Sequence, residues 1–265
     1  MKSNFKKIGL FLVIGLAVAV FYSCDKDKDD FDDDNNGSNV SEIIATNVIN
    51  GSAQITTVKA LVYWENSDDD YGNDAIAQTQ YINNGFTLKL PSTLAAKYLD
   101  LLSEDAPQGV SISDKDAKAL FLENIEGYDK DENGIGYFYF EEESDDSEYY
   151  NGTSWVFADR DVTIKGEDKE ISDYYDYEYV IKFDLKLKKG WNIAYVNYTE
   201  SYNSSTKRDV STYLFTSQKP SGVNYSWNFD LNYTSRSAQV TTRSVESTKN
   251  VFSKLKENKN RARKQ

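Results

Sequence analysis

The chain has 265 residues, with 43 acidic against 30 basic side chains for a formal net charge of −13, and it contains no histidine, one cysteine and one methionine. Without imidazole or a second thiol there is no Ser-His-Asp or Cys-His relay, no His/Cys zinc site, no disulfide framework and no CxxC redox pair. Carboxylate, lysine, tyrosine and hydroxyl chemistry remain, and 20 tyrosines within an aromatic share of 14% favour β structure.

The chain opens with Lys2, Lys6 and Lys7, continues as an apolar or Gly run over residues 8–21, and reaches Tyr22-Ser23-Cys24. As a helix that run extends about 21 Å, short of the roughly 30 Å hydrocarbon core, so residues 1–23 read as a secretory signal rather than a permanent span. The sole cysteine ends the run directly after a small residue, where lipoproteins are cleaved and acylated. The segment resembles a bacterial lipoprotein signal with its lipobox. Phe21 stands where Leu is usual, a relaxation typical of Bacteroidota. The other reading is an ordinary signal peptide with a chance cysteine. Several acyl chains on Cys24, at about 0.8 kcal/mol per buried methylene, would anchor the protein durably to a membrane. Loss of residues 1–23 removes three lysines and no acid, leaving 27 basic and 43 acidic residues and a net charge of −16. That charge opposes binding to nucleic acid and to anionic headgroups.

Residues 24–40 follow as an acidic tether with seven Asp and two Lys. Like charges extend such a segment and no core can include it. Asp25, Asp27, Asp29 and Asp30 crowd against Cys24 and resemble the export signal of surface-exposed lipoproteins of Bacteroidota. The resemblance implies a lipid-anchored protein of the outer membrane that faces the cell exterior. Asp directly after the cysteine also resembles the inner-membrane retention signal of enteric bacteria, and that alternative leaves the protein facing the periplasm.

Residues 41–232 carry the folded part. Strand patterns occur over residues 42–48, 54–64, 86–90, 118–125, 135–141, 154–164, 180–187, 191–198, 212–216 and 225–231, with Gly, Asn, Asp or Ser in most gaps. In the clearest, Ile181, Phe183, Leu185 and Leu187 alternate with Lys182, Asp184 and Lys186, and Lys188-Lys189-Gly190 predicts a hairpin turn into the run from Trp191. One short helix is expected after Pro91-Ser92-Thr93, because Leu94, Tyr98, Leu101 and Leu102 fall at helical spacing. The expectation is a mainly β protein, a single antiparallel β-sandwich or barrel-like domain with one short helix. Residues 233–265 form a basic tail; the stretch 243–265 holds eight basic and two acidic residues. It is either solvated and disordered or an arm for phosphates, an acidic partner or the protein's own acidic domain.

Several stretches are candidate sites. Asp129, Asp131 and Asn133, followed by Gly134, match the opening of a calcium loop, with oxygen ligands at alternate positions and Gly at the sharp turn. The twelfth position is Phe140 where a bidentate Glu is expected, and an Asn-Gly hairpin tip needs no metal, so calcium is the sole cofactor considered and none is the simpler reading. Three segments mix acids with tyrosines: residues 66–74 with Tyr71, residues 141–150 with Tyr149 and Tyr150, and residues 173–179 with Tyr174, Tyr175 and Tyr177. If these loops share one end of a sandwich they make a surface of rings among carboxylates, which suits sugar C–H faces and hydroxyls; otherwise they are solvated loops. Trp64, Trp155, Trp191 and Trp227 sit inside strand patterns and read as core.

No GxSxG, SxxK, P-loop or GxGxxG occurs. Together these features resemble cell-surface lipoproteins of Bacteroidota, and the resemblance rests on residues 1–34. It supplies no catalytic or binding motif, and the leading expectation for the whole chain is a surface-anchored, non-enzymatic binding or adhesion module whose partner is a polysaccharide or an envelope protein. The alternatives are a structural envelope component without a small ligand, and a glycan hydrolase built on two carboxylates.

Overall fold

Ile181, Phe183, Leu185 and Leu187 are buried and Lys182, Asp184 and Lys186 are exposed, so alternation along this run sorts the two faces of a strand as expected. The same rule organises the computed structural model, which describes residues 39–65, 71–104, 106–122, 124–142, 149–172 and 177–231. The signal segment 1–23, Cys24, the acids Asp25, Asp27, Asp29 and Asp30, Tyr174, Tyr175 and the tail 233–265 lie outside the described residues. The protein is mainly β. Two strands, β1 (Glu42–Ala45) and β4 (Phe86–Lys89), form a small sheet of their own.

The other thirteen described strands form one sheet. Its order begins with β3 (Tyr71–Gln80), β2 (Thr57–Glu65), β8 (Asn124–Tyr128), β9 (Gly134–Glu142) and β10 (Tyr149–Ala158). It continues with β13 (Gly190–Asn203), β14 (Arg208–Thr216), β12 (Tyr177–Leu187), β11 (Val162–Ser172) and β6 (Val110–Ile112). Off this path, β15 (Tyr225–Asp230) pairs with β9, β7 (Lys118–Phe121) pairs with β10, and β5 (Asp100–Leu101) pairs with β7.

Two cores result, and β10 serves both. Trp155 and Phe157 enter a first core with β1, β2, β4, β8, β9 and β15, where the small sheet covers the large one as the second layer of a sandwich. Val156 and Ala158 enter a second core, around which β10 to β14, β6 and β7 are wrapped. A strand buried on both faces loses its alternation, which is why residues 154–158 are apolar or small throughout and all buried.

The structure corrects the sequence reading in several places. The helix expected after Thr93 is only a single 3₁₀ turn, Ala96–Tyr98. A helix this short is marginal in water, and its N-cap has no side-chain hydrogen bond. The chain instead pairs Asp100 and Leu101 with β7 and buries Leu102, whose amide donates to the Ala117 carbonyl at 3.0 Å. The expected hairpin between residues 180–187 and 191–198 does not form either. β14 lies between β12 and β13, parallel to the first and antiparallel to the second. Leu187 belongs to the second core and Trp191 to the first, so the intervening turn moves the chain between layers. Residues 118–125 divide into β7 and β8, and residues 154–164 into β10 and β11. Ala- and Gln-rich β3 has no strand signature in sequence.

The layer-changing turn is held by a buried amide. Asn192 is 1% exposed; its Oδ1 accepts from the Lys188 amide at 2.8 Å, and its Nδ2 donates to the Lys188 and Gly190 carbonyls at 2.7 and 2.9 Å. Gly190 takes φ +101°, which any side chain would strain. Asn192→Ala leaves several backbone groups unpaired and is expected to cost about 2–4 kcal/mol, read as a lower urea midpoint at unchanged m-value. An unchanged midpoint would show that this amide does not hold the turn.

Candidate functional site

The described strand ends that flank the three acid- and tyrosine-rich segments lie at one end of the sheet. Along the ladders, Lys59 is opposite Glu126 and Glu126 opposite Tyr137, so the ends of β2 and β9 that lead into residues 66–70 and 143–148 point the same way. Through β13 and β14, the start of β10 is level with the start of β12. Tyr71 opens β3 and Tyr177 opens β12, so both belong to this end.

Tyr149 and Tyr150 are neighbours in sequence but point to opposite faces of β10, as strand periodicity requires. On the first-core side, the fully buried Asn151 donates through Nδ2 to Glu142 Oε2 at 2.9 Å and also to the Tyr149 hydroxyl. Its Oδ1 accepts from Asn197 Nδ2 at 3.0 Å. The network closes the end of the aromatic core, where Tyr225 lies 5.5 Å from Phe140 and 5.6 Å from Tyr195 between ring centroids.

On the opposite face, Tyr150 reaches across Gly152, and a Cβ there would fall 2.0 Å from its hydroxyl. The residue paired with Gly152 is Glu141, and the Tyr150 hydroxyl hydrogen-bonds its carboxyl. Burial pushes Glu141 up to about 7; the Tyr150 hydrogen bond opposes that shift, and the negative Asp230 adds to it. Tyr150 is itself held far above the ordinary tyrosine range, by burial first and then by Glu141. At neutral pH this carboxyl is therefore poised to keep or release its proton, as either donor or acceptor.

The second core ends in a similar belt. Tyr198 and Tyr213 pack at 4.7 Å between centroids, Tyr179 lies 5.3 Å from Tyr213, and the Tyr198 hydroxyl meets Ser211 Oγ at 3.2 Å and donates to Glu200. Burial, then the neighbouring Tyr177, raises Tyr179. Glu200 and Ser211 thus satisfy the Tyr198 hydroxyl inside the wall.

The calcium-like segment is the β8–β9 turn. Asp129 Oδ1 accepts from the amides of Asp131 and Asn133 at 2.9 Å each, and the Asn133 hydrogen bonds hold the carboxyl below its usual range. Asp131 pairs with Lys130 at 2.6 Å and Glu132 takes φ +63°, so the carboxylates are engaged within the turn and its cations. Among the described residues no group of three or more acidic or cysteine side chains could hold a metal ion.

The tryptophans behave as sequence indicated in three cases: Trp155, Trp191 and Trp227 are buried. Trp64 is half-buried, with the Lys97 ammonium 4.2 Å from its ring centre and bound to Asp74 at 2.6 Å, so its ring already has a cation on it.

Residues 135–141 read as a strand in the sequence, but its tyrosines, Tyr137 and Tyr139, are not among the candidate site residues there. In β9, Tyr137, Tyr139 and Glu141 alternate with the core residues Phe138 and Phe140. The signal was present: tyrosines occupy the polar phase of a strand whose apolar phase is already filled by Phe. No family model, curated protein or solved structure matches the chain.

Proposed function

We propose that the protein is a lipid-anchored, surface-displayed binding module that holds glycan without cleaving it. The observation that carries this reading is the polar phase of β9, where Tyr137, Tyr139 and Glu141 put two rings and a carboxyl on one half-buried face. Aromatic planes receive sugar C–H faces and carboxyls receive hydroxyls, and neither interaction needs a nucleophile. The lipobox-like Cys24 and the acids Asp25 to Asp30 supply the anchor and the export signal in this reading, while the net charge of −16 without residues 1–23 argues against nucleic acid as a partner.

Electrophoresis of the purified protein through native gels cast with mixed-linkage β-glucan, xylan, α-mannan or mucin tests the binding reading. Retardation by at least one glycan is expected, and none with any of them favours a structural envelope component. Protease added to intact cells tests the display: degradation is expected, and protection would favour the periplasmic side.

One observation favours a second reading. A carboxyl held near 7 beside another acid is what a glycosidase uses as its general acid, and Glu141 near Asp230 meets that description. Release of reducing sugar by the protein, abolished by Glu141→Gln, would establish hydrolysis in place of simple binding.

A further inference from the structure

The two halves of the large sheet present different outer faces. On β11 and β12, Lys165, Glu167, Lys182, Asp184 and Lys186 are exposed, with Lys165–Asp184 and Lys182–Glu167 contacts at 3.8 and 3.4 Å. That is an ordinary solvated ladder. On β2, β8, β9 and β15 the corresponding row runs Lys59, Glu126, Tyr137, Asp230; beyond it, Leu61 is opposite Asn124 and Tyr139 is opposite Asn228. Every one of these residues is half-buried.

The rows run into a fork. β9 pairs with β8 at Tyr137 and with β10 at Glu141 on the same edge, since β15 holds the other edge at both positions. Past Gly152, β10 leaves β9 and takes up β7 at Val156. Ser154 lies between these pairings; it is 6% exposed and its Oγ has no hydrogen-bond partner. Asn124, where β8 begins, has a buried Oδ1 that is also without one. Both are on the side away from the first core: Asn124 alternates with the buried Ile125, and Ser154 shares the phase of Gly152, Val156 and Ala158, the side of β10 that enters the second core. A buried polar atom left unpaired costs about 1–3 kcal/mol, and both atoms are closed off from the surface, so the outer face stops at this fork.

Charge narrows the occupant. Glu126, Glu141 and Asp230 bring three carboxyls to the face, against Lys59 as the cation of the same rows. Lys59 is already committed: it pairs with Glu132 and lies 4.1 Å from the Tyr128 ring centre. A polyanion would meet repulsion here, whereas an uncharged sugar offers hydroxyls to the carboxyls and C–H faces to the rings. From these observations we infer that the outer face of β2, β8, β9 and β15, ending at the Ser154 fork, binds an uncharged pyranose chain, with Tyr137 and Tyr139 as its stacking platform. The inference rests on the binding reading above and adds to it the neighbouring strands of the face and the class of glycan.

The test measures retardation of the purified wild type and variants in gels cast with mixed-linkage β-glucan, xylan or α-mannan, and in parallel with heparin or polygalacturonate. Tyr137→Ala and Tyr139→Ala are each expected to weaken retardation by a neutral glycan about tenfold, Tyr139→Phe to stay close to wild type because the ring is kept, and Lys182→Ala on the other face to change nothing. Thermal melts of each variant separate lost binding from lost fold, and the Phe variant covers the case in which an Ala variant does not fold. Neutral-glycan retardation that is unchanged in both Ala variants overturns the location while leaving the binding reading intact. Retardation by the polyanions overturns the class of ligand. No retardation of the wild type by any glycan overturns both this inference and the reading beneath it.

Discussion

Trp227→Ala is expected to be the most damaging single substitution in the first core, lowering stability by about 3–5 kcal/mol. Trp227 is 6% exposed and stands where aromatic side chains from three other strands meet. Its ring stacks on Trp155 at 5.6 Å and 13°, lies 5.1 Å from Phe140, and meets Phe86 edge-on at 5.3 Å. Those partners come from β10, β9 and β4, so one side chain ties the large sheet to the small one. Its indole N–H also donates to the Ile44 carbonyl of β1 at 3.0 Å. Truncation therefore opens a cavity between sheets and leaves a backbone carbonyl unpaired. Trp227→Phe separates the two effects, because it keeps a ring and loses the donor. The expected order of urea midpoints is wild type, then Phe, then Ala. A Phe variant as unstable as the Ala variant would place most of the effect in the hydrogen bond.

The second large effect depends on pH. Glu141 has a folded-state pKa of about 7 against an ordinary 4.5. The folded protein thus holds a proton that the unfolded chain has released, and stability falls as pH rises from about 4.5 to about 7. Keeping the ionised carboxyl in the fold above that window costs on the order of 3 kcal/mol. Glu141→Gln carries no such charge, so it should lack this fall and be more stable than wild type at pH 8, while the two differ little at pH 4. The groups that bear on Glu141 are Asp230 from β15 and Tyr150 from β10; Tyr150, far above its usual range, stays neutral throughout. Parallel stability curves for the two proteins between pH 4 and 8 would show that Glu141 titrates like an exposed acid.

Strands were legible where one face is buried and one is wet. The run around Phe183 alternates cleanly and is a strand of that kind, and the Phe138/Phe140 phase of β9 was equally plain. Pairing was not legible from the same pattern. Alternation fixes which side of a strand is buried but not which strand lies beside it, so a neighbour in sequence was taken for a neighbour in space at residues 188–190. What decided that turn was the assignment of Leu187 and Trp191 to different cores, a long-range property. β3 was missed because Ala and Gln have weak strand preference, and pairing with β2 over its whole length supplies what propensity does not. The candidate site was half legible. The sequence drew attention to tyrosines next to acids, and Tyr150 beside Glu141 is such a pair. The fork at Ser154 depends on where β10 exchanges β9 for β7, which no local signal marks.

The central claim, a glycan-binding face on the outer side of β9, is tested most directly by hydroxyl-radical footprinting read by mass spectrometry. The protein would be oxidised with and without the neutral glycan that retards it most. Protection is predicted at Tyr137 and Tyr139, with no change at Tyr202, which is 63% exposed on β13 away from the fork. Protection confined to Tyr202 or Tyr177, with Tyr137 and Tyr139 oxidised equally in both samples, would contradict it.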